Sequence, residues 1–78
     1  TAEGAEALAQ SPFLKKVEHM NLVDNRVGDE GALAIADSDN FRNLNYLHLG
    51  GNRIKSEEAK SALKNSPKLT KLEKLKIF

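Results

Sequence analysis

Cysteine is missing from this 78-residue chain, which excludes disulfides, a thiolate metal site and a cysteine nucleophile. The absence fits a reducing compartment. No apolar run approaches the length needed to span a bilayer, and no basic segment followed by an apolar stretch marks a secretory leader. The expectation is a cytoplasmic protein with no membrane partner. Proline occurs only as Pro12 and Pro67, each directly after a serine, and aromatic residues are few: three Phe and one Tyr. A chain this short also lacks the bulk for a large conventional core, because small chains bury a limited fraction of their surface.

What the chain does have is a unit of about 28 residues written nearly three times. Leu14, Val17, Met20, Leu22, Asn25 and Val27 coincide with Phe41, Leu44, Leu47, Leu49, Asn52 and Ile54 after a shift of 27 positions. A further shift of 28 lands on Leu69, Leu72, Leu75 and Ile77. Around Met20 and Leu22 apolar residues alternate with His19 and Asn21, which predicts a strand with one buried face. Residues 44–52 repeat this pattern, and residues 72–78 begin it again. Between the strands, Ala32, Ile35 and Ala36, then Ala59, Ala62 and Leu63, fall at helical spacing and predict amphipathic helices over 29–36 and 56–63.

Gly28 or Asp29 is expected to cap the first of these helices, and Ser56 with Glu57 and Glu58 the second. Stops follow at Ser11-Pro12, Ser38-Asp39 and Ser66-Pro67; proline cannot continue a helix because it lacks an amide hydrogen and clashes with the preceding turn. A strand, a turn, a helix and a return use up 28 residues, so each unit can bury its apolar side only against its neighbours. Asn25 and Asn52 stand where the chain leaves the strand. Their amides carry both donor and acceptor and are read as structural, satisfying backbone groups of adjacent coils.

LxxLxLxxN, present as Leu44 to Asn52 and softened as Val17 to Asn25, resembles the leucine-rich repeat. Val27-Gly28-Asp29-Glu30-Gly31-Ala32 is similar to the ribonuclease-inhibitor-type subclass, and Ala7-Leu8-Ala9-Gln10-Ser11-Pro12 to its bacterial members. The resemblance runs from Gly4 to Ile77. It implies an α/β fold: a right-handed, horseshoe-like solenoid with a parallel sheet on the concave side and helices on the convex side, used chiefly to bind proteins. On this reading residues 1–78 form a single domain, with a partial repeat at 1–13, full repeats at 14–40 and 41–68, and a partial repeat at 69–78. Val17 and Met20 depart from leucine, and Gly50-Gly51 is expected to loosen one turn.

On that geometry equivalent positions form columns across strands roughly 4.8 Å apart. One column is His19, Tyr46 and Lys74; the next is Asn21, His48 and Lys76; a third holds Val23, Gly50 and Phe78, with the glycine leaving a shallow gap. A surface mixing aromatic, imidazole and ammonium groups suits an acidic peptide or protein loop. The competing reading is an ordinary solvated strand face.

Other chemistry is weakly signalled. His19 and His48 would need a further ligand such as Asp24 to hold zinc, and no convergent set can be named, so neither metal nor cofactor is expected. The serines sit at helix ends and the histidines on open strands, which does not make a nucleophile and base, so no enzyme is expected. Gly50-Gly51-Asn52-Arg53 lacks the spacing of a phosphate loop and reads as a turn. Lys60, Lys64, Lys68 and Lys71 could engage phosphates in a contact that weakens steeply with salt, but their spacing is that of a solvated convex surface with no aromatic platform beside it, so nucleic acid is not expected as a partner. The formal charge of +1 conceals a polarity: residues 1–39 carry three basic and eight acidic side chains, and residues 40–78 carry nine and three. With the chain opening in mid-repeat and closing on Ile77 and Phe78, the expectation is a piece of a longer array. The alternative is a chain that associates head to tail. The runner-up function, regulation of a small GTPase, is implied only by one branch of the family resembled, and a structural, assembling element is the third.

Overall fold

The computed structural model describes residues 1–78. Along the chain lie helix α1 (Ala2–Ala9), strand β1 (His19–Asn21), helix α2 (Gly28–Ala36), strand β2 (Tyr46–His48), helix α3 (Glu57–Lys64) and strand β3 (Lys74–Lys76). Short 3-10 turns at Pro12–Leu14 and Asp39–Phe41 return the chain from the first two helices to the sheet. The three strands form one parallel sheet in the order β1-β2-β3. Its register pairs His19 with Tyr46 and Lys74, Met20 with Leu47 and Leu75, and Asn21 with His48 and Lys76. These are the offsets of 27 and 28 by which the sequence repeats. Helix α2 packs between α1 and α3 as β2 lies between β1 and β3.

Burial follows from this stacking. Ile35, Phe41, Leu44, Leu47 and Leu49 of the middle coil are wholly buried. Their counterparts Leu14, Val17 and Leu22 in the first coil, and Leu72, Leu75 and Ile77 in the third, are half-buried. The outer coils still bury Met20 and Val27 in the first and Ala59, Leu63 and Leu69 in the third, so the coil flanked on both sides buries its apolar side more completely than those flanked on one. At roughly 1.5–3 kcal/mol for each large apolar side chain taken fully out of water, the middle coil carries most of the hydrophobic stabilisation.

Polar seams join the coils. Asn52 is buried and fully bonded: its Oδ1 accepts from the N–H groups of Asn25 (2.7 Å) and Val27 (3.2 Å), and its Nδ2 donates to the carbonyls of Leu22 (2.7 Å) and Gly50 (3.1 Å). Asn25 is exposed, and its Nδ2 donates to the Val23 carbonyl at 3.0 Å, within its own coil. A second seam comes from the serines at the helix stops. Ser38 donates to the carbonyl of Ala9 and accepts from the N–H of Asn40; Ser66 donates to the carbonyl of Ala36 and accepts from the N–H of Lys68.

Two local expectations are corrected. Asp29 does not cap its own helix, which starts after Val27 without a side-chain cap. Its Oδ1 accepts instead from the N–H groups of Lys55 (2.8 Å) and Ser56 (3.1 Å) one coil later, and these bonds hold its carboxyl below the ordinary carboxylate range. Gly50-Gly51 does not loosen its turn. Gly51 takes φ +69° where Asp24 takes φ +58° in the preceding coil, and Arg53 repeats the positive φ of Arg26, so both turns share one backbone shape. Helix α3 starts as expected, with the Ser56 hydroxyl accepting from the N–H of Ala59.

Candidate functional site

Along each strand the central residue points inward and its neighbours outward: Met20 and Leu47 are buried, while His19, Asn21, Lys74 and Lys76 are exposed and Tyr46 and His48 partly so. The helices cover the inner face. The outer face is therefore set by the residues alternating with the core.

On it stands a continuous line of rings. His19 and Tyr46, paired in register, stack with centroids 4.1 Å apart and planes inclined by 4°. Because strand spacing is roughly 4.8 Å, two parallel rings this close must stand on end, face to face across the strands. Tyr46 meets His48 edge-on at 6.4 Å, and His48 meets Phe78 at 5.4 Å with a 56° tilt. The Lys76 ammonium lies 5.7 Å from the centre of the Tyr46 ring, near enough for attraction to the ring's negative face. Neither Lys74 nor Lys76 takes part in an ion pair.

The first two columns read from the sequence are rows of this register. The third differs. Val23 is partly exposed, but Gly50 is buried and leaves no gap: a Cβ there would lie 2.6 Å from His48 Cε1 and 3.0 Å from Phe78 Cε2. The His48 ring occupies that space, with its Nδ1 accepting from the Gly50 N–H at 3.1 Å. Phe78 is 80% exposed even with this contact. The continuous ring line was missed because it depends on how the backbone turns after β2 and β3. The one available signal was four ring-bearing residues in three successive strand segments.

The lysines grouped together in the sequence lie elsewhere and are mostly engaged. Lys68 donates to the Asp37 carbonyl at 3.0 Å and pairs with the carboxylates of Asp37 (3.3 Å) and Asp39 (3.6 Å). The Asp37 carboxylate foremost, with the Asp39 carboxylate adding to it, holds its ammonium above the ordinary lysine range. Lys71 donates to Asn43 Oδ1 at 2.9 Å, and Lys60 lies 3.8 Å from Glu57. Part of the charge polarity is thus neutralised between coils of the same chain. A surface depression of about 680 Å³ lies between α1 and the Asp37–Asn40 turn, is lined mainly by polar groups and includes none of the rings.

Residues 13–36 and 42–60, together more than half of the chain, match the family model described as Leucine Rich repeat. No curated protein and no solved structure matches the chain significantly.

Proposed function

The chain belongs to the leucine-rich-repeat family, whose repeats commonly mediate protein–protein interaction, and from that premise we propose a non-catalytic module that binds a partner on its outer sheet face. The binding groups are His19, Asn21, Val23, Tyr46, His48, Lys74 and Lys76. One observation carries the reading: a preorganised line of rings, flanked by two lysines free of ion pairs, on the sheet face that the helices leave open.

The partner is an acidic peptide or protein loop. Rings standing on end present their electropositive edges, with the Tyr46 hydroxyl and the imidazole N–H groups among them, and the lysine ammoniums add charge. Nucleic acid fits less well. One face of Tyr46 is covered by His19 and Lys76 lies 5.7 Å from its centre, so the central ring gives bases little flat platform. The hydroxyls of Ser38 and Ser66 are engaged in the seam between coils, which supports a role without catalysis. No membrane and no cofactor are assigned a part.

In the fuller form of this reading the repeats are of the ribonuclease-inhibitor-type, bacterial-like subclass. Repeats at 14–40 and 41–68, with parts at 1–13 and 69–78, would follow a right-handed solenoid with the sheet on its concave side. Two alternatives remain: a regulator of a small GTPase, and an element assembling head to tail. The internal pairing of Lys68 with Asp37 and Asp39 favours partner binding over assembly.

Pull-downs from the source cell should compare the unmodified chain with Tyr46→Ala and with Lys64→Glu on the helix face. A partner lost with Tyr46→Ala and kept with Lys64→Glu supports the reading; one kept by both sinks it. Stimulated GTP hydrolysis, or salt-sensitive growth of scattering mass with no partner captured, would favour the alternatives.

A further inference from the structure

We propose that His48 is a proton-operated latch that regulates the partner-binding face; the regulatory part of this proposal rests on the reading of that face given above. The hydrogen bond from the Gly50 N–H to His48 Nδ1 requires a bare nitrogen, so the seated ring is neutral and carries its hydrogen on Nε2. Gly50 is buried, its N–H has no other acceptor, and the ring lies directly against it and against Phe78.

The first coil makes the same closure without an ionisable group. Asn21, the register partner of His48, accepts from the N–H of Val23 through its Oδ1, also two residues on and also at 3.1 Å. An amide does in one coil what an imidazole does in the next. Only the second closure responds to pH.

Protonation of Nδ1 sets N–H against N–H and leaves the buried Gly50 amide without its acceptor. The ring then leaves its seat and Phe78 loses its packing partner. Around His48 stand Lys74 and Lys76 of β3, His19 of β1 on the far side of Tyr46, the Tyr46 phenol, and the Asp24 carboxylate beside Gly51. Two nearby ammonium groups direct a new cation outward, toward solvent and toward any carboxylate laid across the face. Acidification therefore converts the face from a closed form to an open one with one more positive charge, and its affinity for an acidic segment rises.

The latch itself is read on the free protein by NMR as the solution is acidified from about pH 7.5. The Gly50 amide and the Phe78 ring protons should move with the His48 ring. Gly50 protection against hydrogen exchange, corrected for the intrinsic effect of pH, should fall by about tenfold or more. His48→Asn, which installs the group used by the first coil, should hold both flat. A Gly50 amide that stays put while the His48 ring signals move, or that moves equally in His48→Asn, overturns the latch. Anisotropy of a labelled glutamate-rich peptide gives the second arm, with greater tightening at low pH expected for the unmodified chain than for His48→Asn; equal tightening overturns the regulation. No peptide binding with Gly50 still responsive overturns the partner reading instead, whereas peptide binding with an unresponsive Gly50 overturns the latch alone.

Discussion

Asn52 accepts a hydrogen bond from the backbone N–H of Asn25 at 2.7 Å, so the geometry of one turn is held by the side chain of the next. The two asparagines occupy the same place in the repeat but different surroundings: the Asn52 side chain is buried with four bonds, while the Asn25 side chain bonds only within its own coil. Asn52→Ala strands several backbone groups at once. At about 1–3 kcal/mol for each buried group left unpaired, the loss should be about 3 kcal/mol or more, against less than about 1 kcal/mol for Asn25→Ala. Urea unfolding of both variants checks the difference, and equal losses would contradict it.

The serine seam makes a parallel prediction. Ser38→Ala and Ser66→Ala each remove a hydroxyl that donates across coils and accepts locally. Each should cost about 1–2 kcal/mol. Ser11 occupies the same place in the repeat but makes no side-chain cap bond, and Ser11→Ala should change stability by less than about 0.5 kcal/mol.

Asp29 sets a signature at low pH. Its folded carboxyl lies below the ordinary 3.8 because the Ser56 and Lys55 amides bond it. Its stabilising contribution is therefore complete above that ordinary value and is lost as pH falls through the lowered folded one. The stability difference between the unmodified chain and Asp29→Asn should be largest near neutrality and shrink on acidification below 3.8. Lys68 has the opposite sense. Its raised folded value keeps its contribution intact below 10.5 and removes it as pH climbs beyond. Thermal melts across both ranges measure the two effects.

On the proposed function, substitutions on the two faces of β2 should separate stability from binding. Leu47 is wholly buried and Leu47→Ala should cost about 2–5 kcal/mol, whereas Tyr46→Ala should leave helical content intact. Circular dichroism with urea titration distinguishes them, and equal destabilisation would contradict the division.

Much of the architecture was legible because the repeat states it several times. Leu22, Leu49 and Ile77 fall in phase at offsets of 27 and 28, and strand register follows those offsets. Features depending on contacts between coils were less legible. Asp29 has the local pattern of a helix cap, yet its partners Lys55 and Ser56 lie a full coil away. Ser11, Ser38 and Ser66 recur in phase and were readable as stops; that two of the hydroxyls bridge coils depends on three-dimensional proximity. Around the candidate site, the rows through Tyr46 and His48 could be written from the alternation alone. The filling of the Gly50 position by the His48 and Phe78 rings could not, because it depends on the path of the backbone after the strands.

The most direct test is calorimetric titration of a glutamate-rich peptide into the unmodified chain, Tyr46→Ala, the double variant Lys74→Ala/Lys76→Ala, and Lys64→Ala on the helix side. The account predicts that the unmodified chain and Lys64→Ala bind alike, and that both sheet-face variants bind about tenfold or more weakly, as loss of a central aromatic or a charge pair implies. Equal affinity in all four proteins, or a loss confined to Lys64→Ala, would contradict it.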